Sequence, residues 1–126
     1  MNDSRLIDYL GHMLEAARLA YSYVEGLGKD DFLADTRTQQ AVILNIVVIG
    51  EAATKLAKDY PEFIDHHPEV PWRSMKGMRN RIAHGYFDIN LDIVWDTVQT
   101  ALPPLMERLT SIRNESANGS DRGIES

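Results

Sequence analysis

The chain has 126 residues, of which 44% are hydrophobic and 25% charged, with a net charge of −6 and no cysteine. That length fits one domain with one core, and the composition argues against a disordered chain. The missing cysteine excludes disulfides, thiolate catalysis and cysteine-based zinc sites, and the acidic balance argues against bulk electrostatic binding to nucleic acid.

No apolar run reaches the ~20 residues of a membrane span. The longest candidate, Ala41–Gly50, is too short and carries Asn45. The first four residues, Met1 to Ser4, are not followed by a signal-peptide core. A cytoplasmic protein without a membrane partner is the expectation.

Asp3 or Ser4 can cap a first helix over 4–25. Leu6, Leu10, Met13, Leu14, Ala17, Tyr21 and Val24 recur three and four apart, which is one apolar stripe on a helix. Gly26 and Gly28 end it. Residues 30–35 read as a connector, with Asp35 capping a second helix over 36–60 that Pro61 stops. The middle of that helix, Val42 to Ile49, is apolar almost all round. Its β-branched residues also fit a strand, but the flanks 37–40 and 51–58 are helix formers without breakers. A helix apolar on every side must be buried on every side. It is therefore central to the bundle or meets a second subunit.

Residues 61–68 read as a turn or short helical piece. Pro71 opens a third helix over 71–84 from its first position, and Gly85 closes it. Asn90 caps a last helix over 90–112, whose stripe is Val94, Val98, Leu102, Leu105 and Leu109. Pro103-Pro104 should kink or split it. From Asn114 the residues are polar and small, so 114–126 is expected as a flexible tail on a domain of residues 1–113. The fold class is all-α: an up-and-down bundle of four to five helices.

Charge is unevenly placed. Val70 to Phe87 holds four basic residues, Arg73, Lys76, Arg79 and Arg81, and no acidic one. The rest holds nine basic against nineteen acidic residues. A local basic patch on an acidic body suits a small anionic site better than a long nucleic-acid track, although charge alone equally fits a solvated helix face.

The same segment carries Arg79, Asn80, His84 and Tyr86. Arginine offers a planar donor set matched to phosphate oxygens. Histidine is the side chain best suited to proton transfer near neutral pH, and Asn80 adds a neutral donor and acceptor. Together they suit attack by a ribose 2′-hydroxyl on its own phosphodiester, with His84 moving protons and Arg79 stabilising charge on the phosphoryl oxygens. That reaction needs no metal and no cofactor. Residues five apart on a helix lie about 140° apart around the axis, so Arg79 and His84 do not share a face, whereas Asn80 and His84 do. Either Gly85 lets the helix end turn His84 aside, or a two-fold dimer completes the site. A dimer would also supply two histidines, one as base and one as acid.

Arg79-Asn80, Ala83-His84 and Tyr86 resemble the Arg-x4-6-His-x-Tyr signature of HEPN ribonucleases. Ile49-Gly50-Glu51-Ala52, Pro71-Trp72 and Gly77-Met78-Arg79-Asn80 look like the HepT branch of that group, over roughly residues 4–112. The resemblance implies a HEPN-type helical homodimer acting as a toxin that cleaves RNA, with the cleft at the dimer interface and Arg79 and His84 catalytic. It also implies a cognate MntA-type nucleotidyltransferase antitoxin that transfers AMP to Tyr86. The alternative is a non-catalytic HEPN dimer that binds nucleotides or a partner, which the negative charge favours mildly.

Other readings are structural. Arg79 and His84 also fit a helix end, where a histidine meets the dipole favourably, and the resemblance turns that reading toward catalysis. Tyr86 could bury its ring and bond its hydroxyl. Glu51 is expected to pair with Arg79 or Arg81 and to position the site without reacting. His12 and Glu15 have metal-ligand spacing but lack a matching pair. His66 and His67 fall in a proline-bounded turn, and Trp72 and Trp95 fit core or interface packing.

Overall fold

A computed structural model describes the backbone of residues 4–125 and the side chains of residues 4–117. The regular structure is all helical, with no strand among the described residues. In chain order the helices are α1 (Ser4–Tyr23), α2 (Lys29–Leu33), α3 (Thr36–Asp59), α4 (Pro61–His66), α5 (Trp72–His84), α6 (Leu91–Asp96) and α7 (Leu102–Glu125). A single 3₁₀ turn, Tyr86–Asp88, follows α5, and a widened π turn, Thr97–Ala101, joins α6 to α7.

The helix ends follow local chemistry. The Asp35 carboxylate accepts from the Thr38 N–H at 3.1 Å, which starts α3. Asn90 Oδ1 accepts from the Asp92 and Ile93 N–H groups at 2.9 and 3.2 Å, which starts α6. These bonds satisfy backbone donors that have no partner inside the helix. Pro61 both stops α3 and opens α4. The segment expected as a connector contains α2, whose last carbonyls, Phe32 and Leu33, accept from the buried Gln39 amide at 2.9 and 3.0 Å.

The proline pair acts through the π turn. Pro103 and Pro104 have no N–H, and their rings crowd the carbonyls four residues back. The Leu102 N–H instead reaches the Thr97 carbonyl, five residues away, so the turn widens and the chain runs on. The helix continues past Asn114, where the sequence reading placed the start of a tail, to Glu125. No proline follows Pro104 to interrupt the ladder.

Helix α3 lies at the centre, between α1 on one side and α5 on the other, and α7 packs on α1. Leu10, Met13, Leu14 and Ala17 of α1 meet Val42, Ile46, Ile49 and Leu56 of α3 in one core, closed by Val98, Leu102, Leu105 and Leu109. By length and composition alone α3 could cross a membrane, but half of its apolar window is buried in the bundle. Its burial is not complete. Leu44 is 63% exposed and Val48 37%, and with Gln40 and Lys55 they mark one open stripe.

Candidate active site

Helix α5 sets the site against α3. A Cβ added at Gly50 would overlap the Arg79 Cβ and lie 2.8 Å from the Met75 carbonyl oxygen. Only a residue without a Cβ lets α5 approach α3 this closely. In the sequence Gly50 stands out solely as part of the Ile49-Gly50-Glu51-Ala52 motif. A mid-helix glycine costs about 1 kcal/mol relative to alanine, and that unexplained cost was the signal for close packing.

The close approach delivers Arg79 to Glu51. Arg79 Nε donates to Glu51 Oε1 at 2.6 Å, and Arg79 Nη1 donates to Asn80 Oδ1 at 2.6 Å. The hydrogen bond from Arg79 holds the Glu51 carboxyl below the usual carboxylate range, assisted by the charges of Arg79 and Lys55. Glu51 is thus an ionised acceptor near neutral pH, which suits positioning and not proton donation. With its Nε and one Nη1 donor engaged, Arg79 keeps further guanidinium donors for an anion.

His84 is the last residue of α5, so Gly85 does not turn it out of the helix. The Gly85 N–H still bonds to the Arg81 carbonyl at 2.9 Å. Arg79 and His84 therefore keep the offset of a regular helix within one chain. Asn80 lies one turn before His84 on the same face. The Arg79 guanidinium is bonded to Asn80, which shares that face. The His84 side chain is exposed, with no hydrogen bond or ion pair among the described residues. Tyr86 follows on the 3₁₀ turn, 47% exposed.

A family model described as Ribonuclease HepT-like matches residues 13–112. The chain belongs to the HepT-like ribonuclease family. Among its relatives is a protein of Thermococcus cleftensis, provisionally named ribonuclease HepT, 36% identical over 106 residues that make up 84% of this chain and 94% of that protein. A provisionally named RNase of Caldanaerobacter subterraneus subsp. tengcongensis is 34% identical over 104 residues, 82% of this chain and 90% of its own length. Another, of Methanocaldococcus jannaschii, is 36% identical over 104 residues, 82% of this chain and 84% of its own length. No solved structure matches the chain at a significant level.

In this HepT-like chain the remaining histidines have local partners or none. His66 Nδ1 lies 2.6 Å from the Glu62 carbonyl, and His67 Nδ1 lies 2.9 Å from Glu69 Oε2. The His67 ring also packs on Phe63, with centroids 4.7 Å apart. His12 is exposed on α1. No cluster of three or more potential metal ligands occurs among the described residues. Trp72 is buried, with Nε1 donating to the His67 carbonyl at 2.9 Å, and Trp95 packs on Phe32 at 5.4 Å. Two features of the site's surroundings were not singled out from the sequence: the open Leu44–Val48 stripe, which leads along α3 to Glu51, and Phe87, which is 100% exposed.

Proposed function

We propose that the protein is a metal-independent endoribonuclease, the toxin of a toxin–antitoxin pair, acting in the cytoplasm. The observation that carries the reading is the Glu51–Arg79–Asn80 arrangement beside His84 in a chain of the HepT-like ribonuclease family. Arg79, fixed from two sides, meets the phosphodiester. The 2′-hydroxyl gives its proton to a His84 imidazole and attacks the adjacent phosphorus. Arg79 stabilises the charge on the phosphoryl oxygens, and the departing 5′-oxygen takes a proton from an imidazolium. The products are a 2′,3′-cyclic phosphate and a 5′-hydroxyl.

One His84 cannot be base and acid in the same instant. A two-fold dimer answers this by facing two His84 side chains across its axis. The open Leu44–Val48 stripe supports that assembly, because it lies on the α3 face that carries Glu51, and a second copy could cover it.

The reading includes control through Tyr86. Its phenol oxygen would attack the α-phosphorus of ATP bound by a nucleotidyltransferase antitoxin. Pyrophosphate leaves and the phenolic proton passes to the partner's base. The added phosphodiester carries one negative charge, which Arg79 and Arg81 would hold in place of RNA. Tyr86 is open enough to be reached.

The test is incubation of the purified protein with RNA in chelator, followed by analysis of the fragment ends. Cyclic or 3′-phosphate ends are expected, with DNA of the same sequence left whole because it lacks the 2′-hydroxyl. Cleavage of DNA, or 5′-phosphate ends, would sink the mechanism. For the control step, co-expression with an antitoxin should add AMP mass to the Tyr86 peptide. An unmodified peptide in a silenced protein would point to occlusion instead.

A further inference from the structure

We infer that Phe87 is the platform on which a nucleobase of single-stranded RNA stacks beside the reacting phosphate, an inference that rests on the RNA-cleaving reading above. Phe87 is 100% exposed, whereas the other exposed large hydrophobic side chains lie between 36% and 63%. The backbone beneath it is held. The Asp88 N–H donates to the Gly85 carbonyl at 2.9 Å and the Ile89 N–H to the Tyr86 carbonyl at 3.4 Å. The ring is therefore presented by a closed 3₁₀ turn that begins two residues after His84. Tyr86 meets it edge-to-face, with centroids 6.1 Å apart and planes at 84°. That arrangement keeps the two rings from stacking on each other and leaves a face free for a third aromatic.

The charges of the helix that leads into the turn favour nucleic acid over an apolar protein partner. Arg73, Lys76 and Arg81 on the preceding helix are exposed and form no ion pair among the described residues. Asp88 follows Phe87 in the chain. Arg81, the nearest of the three to the turn along the chain, draws a phosphate to the helix side, which leaves the base to meet Phe87. Two residues separate His84 from Phe87, so their Cα atoms, three steps apart, are at most about 11 Å from each other. The stacked base then belongs to a nucleotide at or next to the cut. A base can stack on protein only when it is free of its own helix, so the substrate is unpaired RNA. Every base has a π-face, so the platform tolerates sequence, with a modest preference for the larger purine rings.

The test uses the whole protein and a labelled single-stranded RNA of mixed sequence, with cleavage and binding measured separately. Phe87→Ala is expected to raise KM by about 5- to 150-fold, the span that loss of one stacked base gives, with a much smaller change in kcat. Phe87→Trp should retain wild-type KM. In the non-cleaving His84→Ala background, adding Phe87→Ala should weaken RNA binding by a similar factor. An abasic ribonucleotide at the cut should weaken wild-type binding and leave Phe87→Ala unaffected, because base and platform are one interaction. RNA cleavage and binding by Phe87→Ala equal to wild type would overturn the inference. So would loss of the dimer in light scattering, which would make Phe87 a subunit contact. Absence of RNA cleavage by the wild type overturns the proposed function, while the binding comparison still decides the role of Phe87.

Discussion

At the start of α5, Trp72 and Met75 are buried and the indole N–H is bonded to the His67 carbonyl. At its end, Arg81 and His84 face solvent, followed on the turn by Tyr86 and Phe87. One helix of thirteen residues thus joins a packed half to an open half. Between them, Ile82 is the buried anchor of the last turns, and Arg79 ties the middle to α3. The contrast teaches where each half acts. Side chains at the start hold the helix in the bundle, so they act on stability. Side chains at the end have few contacts to lose, so changing them should leave stability intact, and the proposed chemistry is assigned to them.

The largest expected effect separates the two halves outright. His84→Ala should lower cleavage by about 10²- to 10⁴-fold, the span of a lost proton-transfer group, with Tm unchanged because His84 supports nothing in the fold. Trp72→Ala should do the reverse, destabilising the fold by about 3–5 kcal/mol while the folded fraction still cuts RNA. Thermal melts and single-turnover cleavage on the two variants check both. A large loss of Tm in His84→Ala would break the comparison.

The next effect is at the junction. Gly50→Ala should cost about 1–3 kcal/mol through overpacking, since the new methyl meets the Arg79 Cβ and the Met75 carbonyl. As α5 is pushed off α3, the Arg79–Glu51 bond should lengthen and cleavage should fall as well. Gly50 is the one position named here whose alteration is expected to damage both halves. Wild-type activity with wild-type Tm in Gly50→Ala would show that the helices do not need this approach.

Much of this arrangement can be read from the chain. The bounds of α1, α3 and α5 came within about two residues; for α3 and α5 the reason is that Asp35, Pro61, Pro71 and Gly85 act on the backbone beside them. The Glu51–Arg79 pair was one of two expected pairings, since charge and an apolar neighbourhood narrow the choice. What stayed hidden depends on distances between helices. The role of Gly50 needs the position of α5, and the Arg79–Asn80 bond needs the direction in which Glu51 pulls the guanidinium. The π turn depends on how the chain absorbs two prolines without breaking, and the exposure of Phe87 depends on which way the turn after Gly85 faces. The α3 stripe was read as buried all round or shared with a second subunit. One chain leaves Leu44 and Val48 open, so the first of these alternatives fails for a single chain.

The smallest expected effect concerns the polar tie between the halves. The Arg79 hydrogen bond holds the Glu51 carboxyl below its ordinary value, so the folded protein takes up the proton less readily than the unfolded chain. The stabilisation is then fully present above the unfolded value of about 4.3 and is lost as pH falls through the lowered folded value. Glu51→Gln keeps the shape and removes the charge. The difference in unfolding free energy between wild type and Glu51→Gln should be flat from about pH 8 to pH 5 and close below that range. Its size should be small, because the Glu51 side chain is 46% exposed and water screens the pair. Denaturant titrations of both proteins across that range measure it. No difference at any pH between 8 and 3 would mean that the Glu51 charge adds nothing to the tie, and Arg79 would then owe its position to the packing at Gly50 and the bond to Asn80.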